Sequence, residues 1–185
     1  MLKNISVSTK GFAAFAILAF IAIAASGFIY TRAVAVTKMV DHSQAMGKLS
    51  DETAELTDDV HQANLALKDF LLTGNRDFVA VYEKLGAEID AQTAELETLY
   101  SEIAPAELAM YREAFQAITE WRSTMVDRQI QLMRDPMTVE LARALELTGV
   151  GAALIAEFEA KVAEVTSSLQ QQALEAATAE KAALQ

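Results

Sequence analysis

Gly11 to Tyr30 (GFAAFAILAFIAIAASGFIY) is a run of twenty residues without one charged side chain. As a helix rising ~1.5 Å per residue it is about 30 Å long, the thickness of a bilayer's hydrocarbon core. A cleaved signal peptide is the competing reading, because Ala22-Ile23-Ala24 has the small-x-small form of a cleavage site. The run outlasts the ~7–15 apolar residues of a signal core and continues past that site, which favours an uncleaved transmembrane helix. Lys3 and Lys10 precede it and Arg32 and Lys38 follow it, so the positive charges encode orientation only weakly. We expect residues 1–10 on the cytoplasmic side, 11–30 in the cell membrane, and the acidic remainder, 31–185, outside it.

That remainder is built for helices. Seven glycines and two prolines in 185 residues are few, and valine and isoleucine fall at helical rather than alternating spacing, which argues against strands. The absence of cysteine excludes disulfides, thiol catalysis and thiolate metal sites. A net charge of −11 with no basic face argues against nucleic acid as a partner.

Three breaks divide the chain after Thr31. Thr73-Gly74-Asn75 pairs a terminating glycine with a capping asparagine. Ala104-Pro105 places a proline at a first helical position, and Asp135-Pro136 ends one helix before Thr138 begins the next. Four helices are predicted, over about 31–73, 76–103, 105–134 and 138–185. Each carries a seam of alternating three- and four-residue spacing. The first reads Met46, Leu49, Thr53, Leu56, Val60, Ala63, Leu67, Phe70, and the second Phe78, Tyr82, Leu85, Ile89, Gln92, Leu96, Leu99, Ile103. The third runs Leu108, Tyr111, Phe115, Ile118, Arg122, Met125, Gln129, Leu132, and the fourth Phe158, Val162, Val165, Leu169, Gln172, Ala176. Such seams joined by short loops imply an all-α fold. A membrane helix continues into an antiparallel up-down-up-down four-helix bundle with long first and fourth helices.

The unequal lengths leave Thr31–Ala45 facing Thr166–Gln185 without the middle pair. Alanine and glutamine stand there where an isolated helix pair needs leucine. We therefore expect a homodimer, in which a second copy completes a stalk. We also expect that a second membrane helix and cytoplasmic output domains, absent from this chain, lie beyond residue 185.

The string Leu67-Lys68-Asp69-Phe70-Leu71-Leu72-Thr73-Gly74-Asn75-Arg76-Asp77-Phe78-Val79-Ala80-Val81-Tyr82 resembles the turn signature of the CHASE family of extracellular sensory domains, third subtype. Phe70, Leu71, Leu72, Thr73, Gly74, Asn75, Phe78 and Tyr82 carry the likeness, which extends in organisation over essentially residues 1–185. The lead Met-Leu-Lys-Asn-Ile-Ser is similar to that of methyl-accepting chemotaxis proteins. The resemblance implies the sensory input of a bacterial transmembrane receptor, chemotactic by that lead, with a histidine kinase or diguanylate cyclase as alternative outputs. It implies no catalytic role. A single-pass scaffolding bundle that senses nothing is the rival from another class.

Polar residues on apolar seams are the candidates for function: His42, Gln92, Arg122 and Gln129. Counted by helical rise, Arg122 is level with Ala63, with Leu85 to Ile89, and with Gly149 to Gly151. Small residues opposite leave room for a cavity in which Arg122, with Gln129, Trp121 and Asn64, grips a small anion such as a carboxylate. The bland reading has Arg122 reaching solvent or pairing with a nearby acid. A periplasmic partner protein is the other expected trigger. Thr148-Gly149-Val150-Gly151, inside a helical run, reads equally as a soft point or as close packing against a bulky neighbour such as Trp121. Asp58-x-x-His61 is half of a di-iron motif with no second half, and His42 lies ~28 Å from His61 along the helix, so no metal or other cofactor is expected.

Overall fold

A computed structural model describes residues 7–183; the lead Met1–Ser6 and the expected return of Gln185 to the bilayer lie outside the described residues. The described residues are helix and turn, without strand. The elements are α1 (Val7–Thr73), α2 (Asp77–Ile103), α3 (Leu108–Trp121), one π-helical turn (Arg122–Val126), α4 (Asp127–Leu132), α5 (Val139–Glu146) and α6 (Val150–Ala183). They fall into two compact units, Met1–Asp41 with Ala176–Gln185, and His42–Glu175.

In the first unit α1 supplies a stretch long and apolar enough to cross a membrane, none of it buried. Phe15, Phe20 and Ile23 are each more than 70% exposed, as side chains meant for lipid would be. The Arg32 guanidinium lies 5.2 Å from the centre of the Phe28 ring, a cation–π contact on the same helix. No described side chain of this unit is buried.

The second unit has a continuous core. Every residue expected on the α1 seam, Met46 to Phe70, is buried, and each leucine there contributes about 1.5–3 kcal/mol of burial. Side-chain contacts tie the helices of this unit to one another. On α1 and α2, Thr53 meets Tyr100 and Asp59 meets Gln92. Glu97 meets Arg112 and Asp90 meets Arg122 between α2 and the helices that follow. Glu107 meets Ser168 and Glu113 meets Lys161. Ser43 donates to the Ala173 carbonyl, and His61 faces Glu159 at 3.6 Å.

The breaks follow local chemistry. Gly74, at φ +70°, ends α1 with its N–H on the Phe70 carbonyl at 2.8 Å, and Asn75 Oδ1 then accepts the Asp77 N–H. Pro105 does not begin a helix as expected. Residues 105–107 form a turn in which the Glu107 N–H reaches the Ala104 carbonyl, and α3 starts at Leu108. At Asp135, the side chain accepts the Met137 N–H while the Thr138 hydroxyl satisfies the Leu132 carbonyl. The largest correction concerns the predicted continuous helix 138–185, which is broken. Gly149 sits at φ +77° and separates α5 from α6, because a left-handed residue cannot continue an α-helical ladder.

Two seams also differ from expectation. On α2 the buried residues are Tyr82, Gly86, Ile89, Leu96 and Tyr100, whereas Leu85, Gln92 and Leu99 are half-buried. On α3 the buried residue is Trp121, not Arg122. Ile118, Trp121 and Met125, at ordinary three- and four-residue spacing, face the core, and the π turn begins at Arg122.

Candidate functional site: a charged groove beside the π turn

The π turn is flanked by hydroxyls bonded back to the helix. The Thr119, Ser123 and Thr124 hydroxyls all donate back to carbonyls of the preceding turn, those of Phe115, Thr119 and Glu120. Such back-bonding competes with the α-helical ladder and loosens it. The Asp127 N–H then reaches past its normal partner to the Arg122 carbonyl. Trp121 faces the core and Arg122 faces α2.

There the guanidinium meets Asp90 Oδ1 at 2.5 Å and the Tyr82 hydroxyl. It lies over Gly86, where an added Cβ would stand 3.1 Å from Nη2. Gly86 is therefore the small residue that makes room for Arg122. The expected opposite number, Gly151, instead faces the Trp121 indole and Met125 at 3.6 Å. Burial pulls the Arg122 guanidinium down, but the hydrogen bonds and charges of Asp90 and Tyr82 outweigh it and hold the cation more firmly than usual. Burial also pushes the Tyr82 phenol above its ordinary value, partly opposed by Arg122.

The four candidate residues do not converge on one point. Arg122 and Trp121 share Tyr82, whose ring meets the indole edge-on at 6.3 Å. Gln129 is fully buried and donates to Glu146 Oε2 on α5, leaving its own Oε1 without a partner. Asn64 is half-buried on α1. Of the other seam polars, Gln92 donates to Asp59 and His42 is exposed. Among the described residues, no three histidine, aspartate or glutamate side chains are grouped to hold a metal ion.

Beside Arg122 runs a groove made of two adjoining hollows of about 470 Å³ each. Tyr82, Arg122 and Asp127 line one; Phe70, Arg76 and Val79 line the other; Glu83, Ile130 and Arg134 are common to both. It therefore has an apolar floor and charged walls of both signs. Arg134 and Glu83 escaped the seam analysis because neither lies on a seam. Gly86 left a signal, an isolated glycine within a heptad pattern.

Two further contacts bind the distal end together. Arg143 on α5 donates through Nε to the Leu71 carbonyl at 2.8 Å and through Nη2 to that of Leu72 at 3.3 Å. A cation thus closes the C-terminal carbonyls of α1, where the helix dipole favours positive charge. Lys68, Glu146 and Gln129 form a second link between α1, α5 and α4.

An all-helical core, in a chain whose first helix also carries an exposed bilayer-length apolar stretch, defines the class of helical domains with a candidate membrane span. Within that class the chain belongs to the CHASE3 domain family, whose model matches residues 37–180. This is a sensory, non-catalytic domain found in bacterial transmembrane receptors. No curated protein and no solved structure matches the chain.

Proposed function

We propose that this chain is the input module of a bacterial transmembrane receptor. In this reading His42–Glu175 is an antiparallel up-down-up-down four-helix bundle on the outer face of the cell membrane, and the apolar stretch of α1 anchors it. The observation that carries the reading is the coincidence of the family match over 37–180 with that stretch on α1. The signal is a small displacement of α6 against α1. Packed seams resist continuous deformation and pass between discrete arrangements, so a stimulus acts by favouring one of them. α1 meets α6 through Ser43 to Ala173 and His61 to Glu159 and through the shared apolar core, a packed seam of the kind that passes between discrete arrangements. Chemotaxis is the output we favour, on the lead sequence Met1–Ser6.

We extend the reading to a homodimer, in which a second copy covers residues 31–41, where all side chains but Val36 and Val40 are exposed. The test grafts residues 1–185 onto the second membrane helix and kinase module of a receptor with a measurable output. One to seven residues are then inserted at the junction. Output should oscillate with the ~3.5-residue repeat of packed helices; a response indifferent to insertion length would overturn displacement signalling. Cysteines at Ala35 and Ala176 in the same receptor should trap a dimer under oxidation, and monomer alone would overturn the stalk.

A further inference from the structure

Resting on the sensory reading above, we propose that the groove between α2 and α4 is the stimulus site. Its ligand is a small zwitterion carrying one carboxylate and one ammonium, the chemistry of a free amino acid with an apolar side chain.

Three observations converge on it. First, Arg122 is already answered by Asp90 and Tyr82, so it braces the wall rather than anchoring a ligand. Among the described residues, the groove's cations without an ion pair are Arg76 and Arg134, and its acids without one are Glu83 and Asp127. Charges of both signs that line one groove without pairing are complementary to a molecule bearing both. A guanidinium recognises a carboxylate through two parallel hydrogen bonds, and a carboxylate accepts from an ammonium.

Second, Ile130 and Val79 supply apolar surface between those charges, where an aliphatic side chain loses water on binding. Third, the long-range field selects against the simpler alternative. A chain of net charge −11 repels a dianion on approach, whereas a zwitterion carries no net charge to be repelled. The π turn provides the link to signalling. Asp127 and Arg122 sit at its two ends, so a ligand drawing Asp127 into the groove acts on the one helical segment that holds an extra residue. π turns are frequent at functional positions for this reason.

The test is calorimetric titration of the full chain in lipid nanodiscs with three probes: L-leucine, 3-methylbutylamine (the carboxylate removed) and 4-methylpentanoate (the amine removed). Leucine should bind, and each truncated probe should bind at least ten-fold more weakly. Arg134→Gln should weaken leucine at least ten-fold while leaving the residual affinity for the amine unchanged. Asp127→Asn should do the converse, weakening leucine and sparing the acid. Both positions are exposed, so unchanged helicity and melting temperature will show that the variants fold. No heat with leucine, equal affinity for 4-methylpentanoate, or indifference to Arg134→Gln would each overturn the zwitterion assignment. The junction-insertion result is independent of ligand, so a failure here leaves the sensory reading intact, and a failure there does not touch the binding result.

Discussion

The two ends of the His42–Glu175 unit are built on different principles. Near the Ala104-Pro105 turn the core is an aromatic ladder: Tyr100 stacks on Tyr111 at 4.4 Å, Tyr111 on Phe115 at 4.7 Å, and Phe115 meets Phe158 edge-on at 5.4 Å. Its tyrosine hydroxyls are tied down, although among the described residues the buried Glu107 beside this turn leaves Oε2 without a partner. The Thr53 hydroxyl proton goes to the Leu49 carbonyl, so the Tyr100 hydroxyl must donate to Thr53, and the Tyr111 hydroxyl donates to the Thr93 carbonyl. Near the Gly74 and Pro136 turns the helices are interrupted instead. That end holds the π turn, the left-handed Gly149 and the buried Gln129 with one unpartnered oxygen. One end is an aromatic clasp on regular helices; the other stores irregular backbone, a feature of elements with more than one arrangement.

That contrast is most easily broken at the clasp. Phe158 is fully buried among Phe115 and its neighbours, and Phe158→Ala should cost about 3–5 kcal/mol by urea denaturation of the full chain in detergent. A loss below ~1 kcal/mol would mean that the ladder is not close-packed. At the other end the two glycines should separate. Gly149→Ala forces a side chain into the left-handed region and should cost about 1–2 kcal/mol. Gly151→Ala places its Cβ at ordinary contact distance, 3.6 Å from Met125 and Trp121, and gains helix propensity. Its effect should stay below ~1 kcal/mol and towards stabilisation. Equal costs at both positions would show that Gly149 is no genuine break.

How much of this was readable beforehand follows the same division. The α1 seam was legible residue by residue, since leucines and valines in heptad spacing leave one solution for a buried face. The Gly74 turn was legible because only a few residue types tolerate its geometry. The α2 seam was misplaced because Leu85 and Leu99 look more apolar than Gly86 and Tyr100, although a glycine under Arg122 and a hydrogen-bonded tyrosine are what the core accommodates. Arg122 pairs with Asp90, the bland outcome weighed for it, and lies over Gly86, within the Leu85 to Ile89 span expected opposite it, although the helix around it is not unbroken as assumed. The π turn carries Thr119, Ser123 and Thr124 bonded back to carbonyls of the preceding turn, but so do Thr53 and Thr98 in regular helix, so neither periodicity nor residue type registers it. Gly149 was noticed as a helix-weakening residue, yet whether a glycine yields or breaks is decided by tertiary contacts such as those of Arg143 and Glu146 on α5.

The smallest effect probes the clasp through pH. Burial raises the Tyr82, Tyr100 and Tyr111 phenols above their ordinary value of 10.0, Tyr111 most strongly, with the Tyr100 phenol as a further cause at Tyr111. A group whose folded value is raised stabilises the fold fully below its unfolded value, and that contribution is lost as pH climbs from there towards the folded value. The melting temperature should therefore hold up to about pH 10 and fall above it, as phenolate forms freely in the unfolded chain but not in the core. Lysine deprotonation contributes over the same range, so the informative quantity is the difference between wild type and Tyr111→Phe. At neutral pH the variant loses one hydrogen bond to the Thr93 carbonyl, about 1 kcal/mol or less. Above pH 10 its decline should be shallower, and the two curves should converge. Parallel curves would mean that Tyr111 titrates alike folded and unfolded, and the clasp would then be open to water.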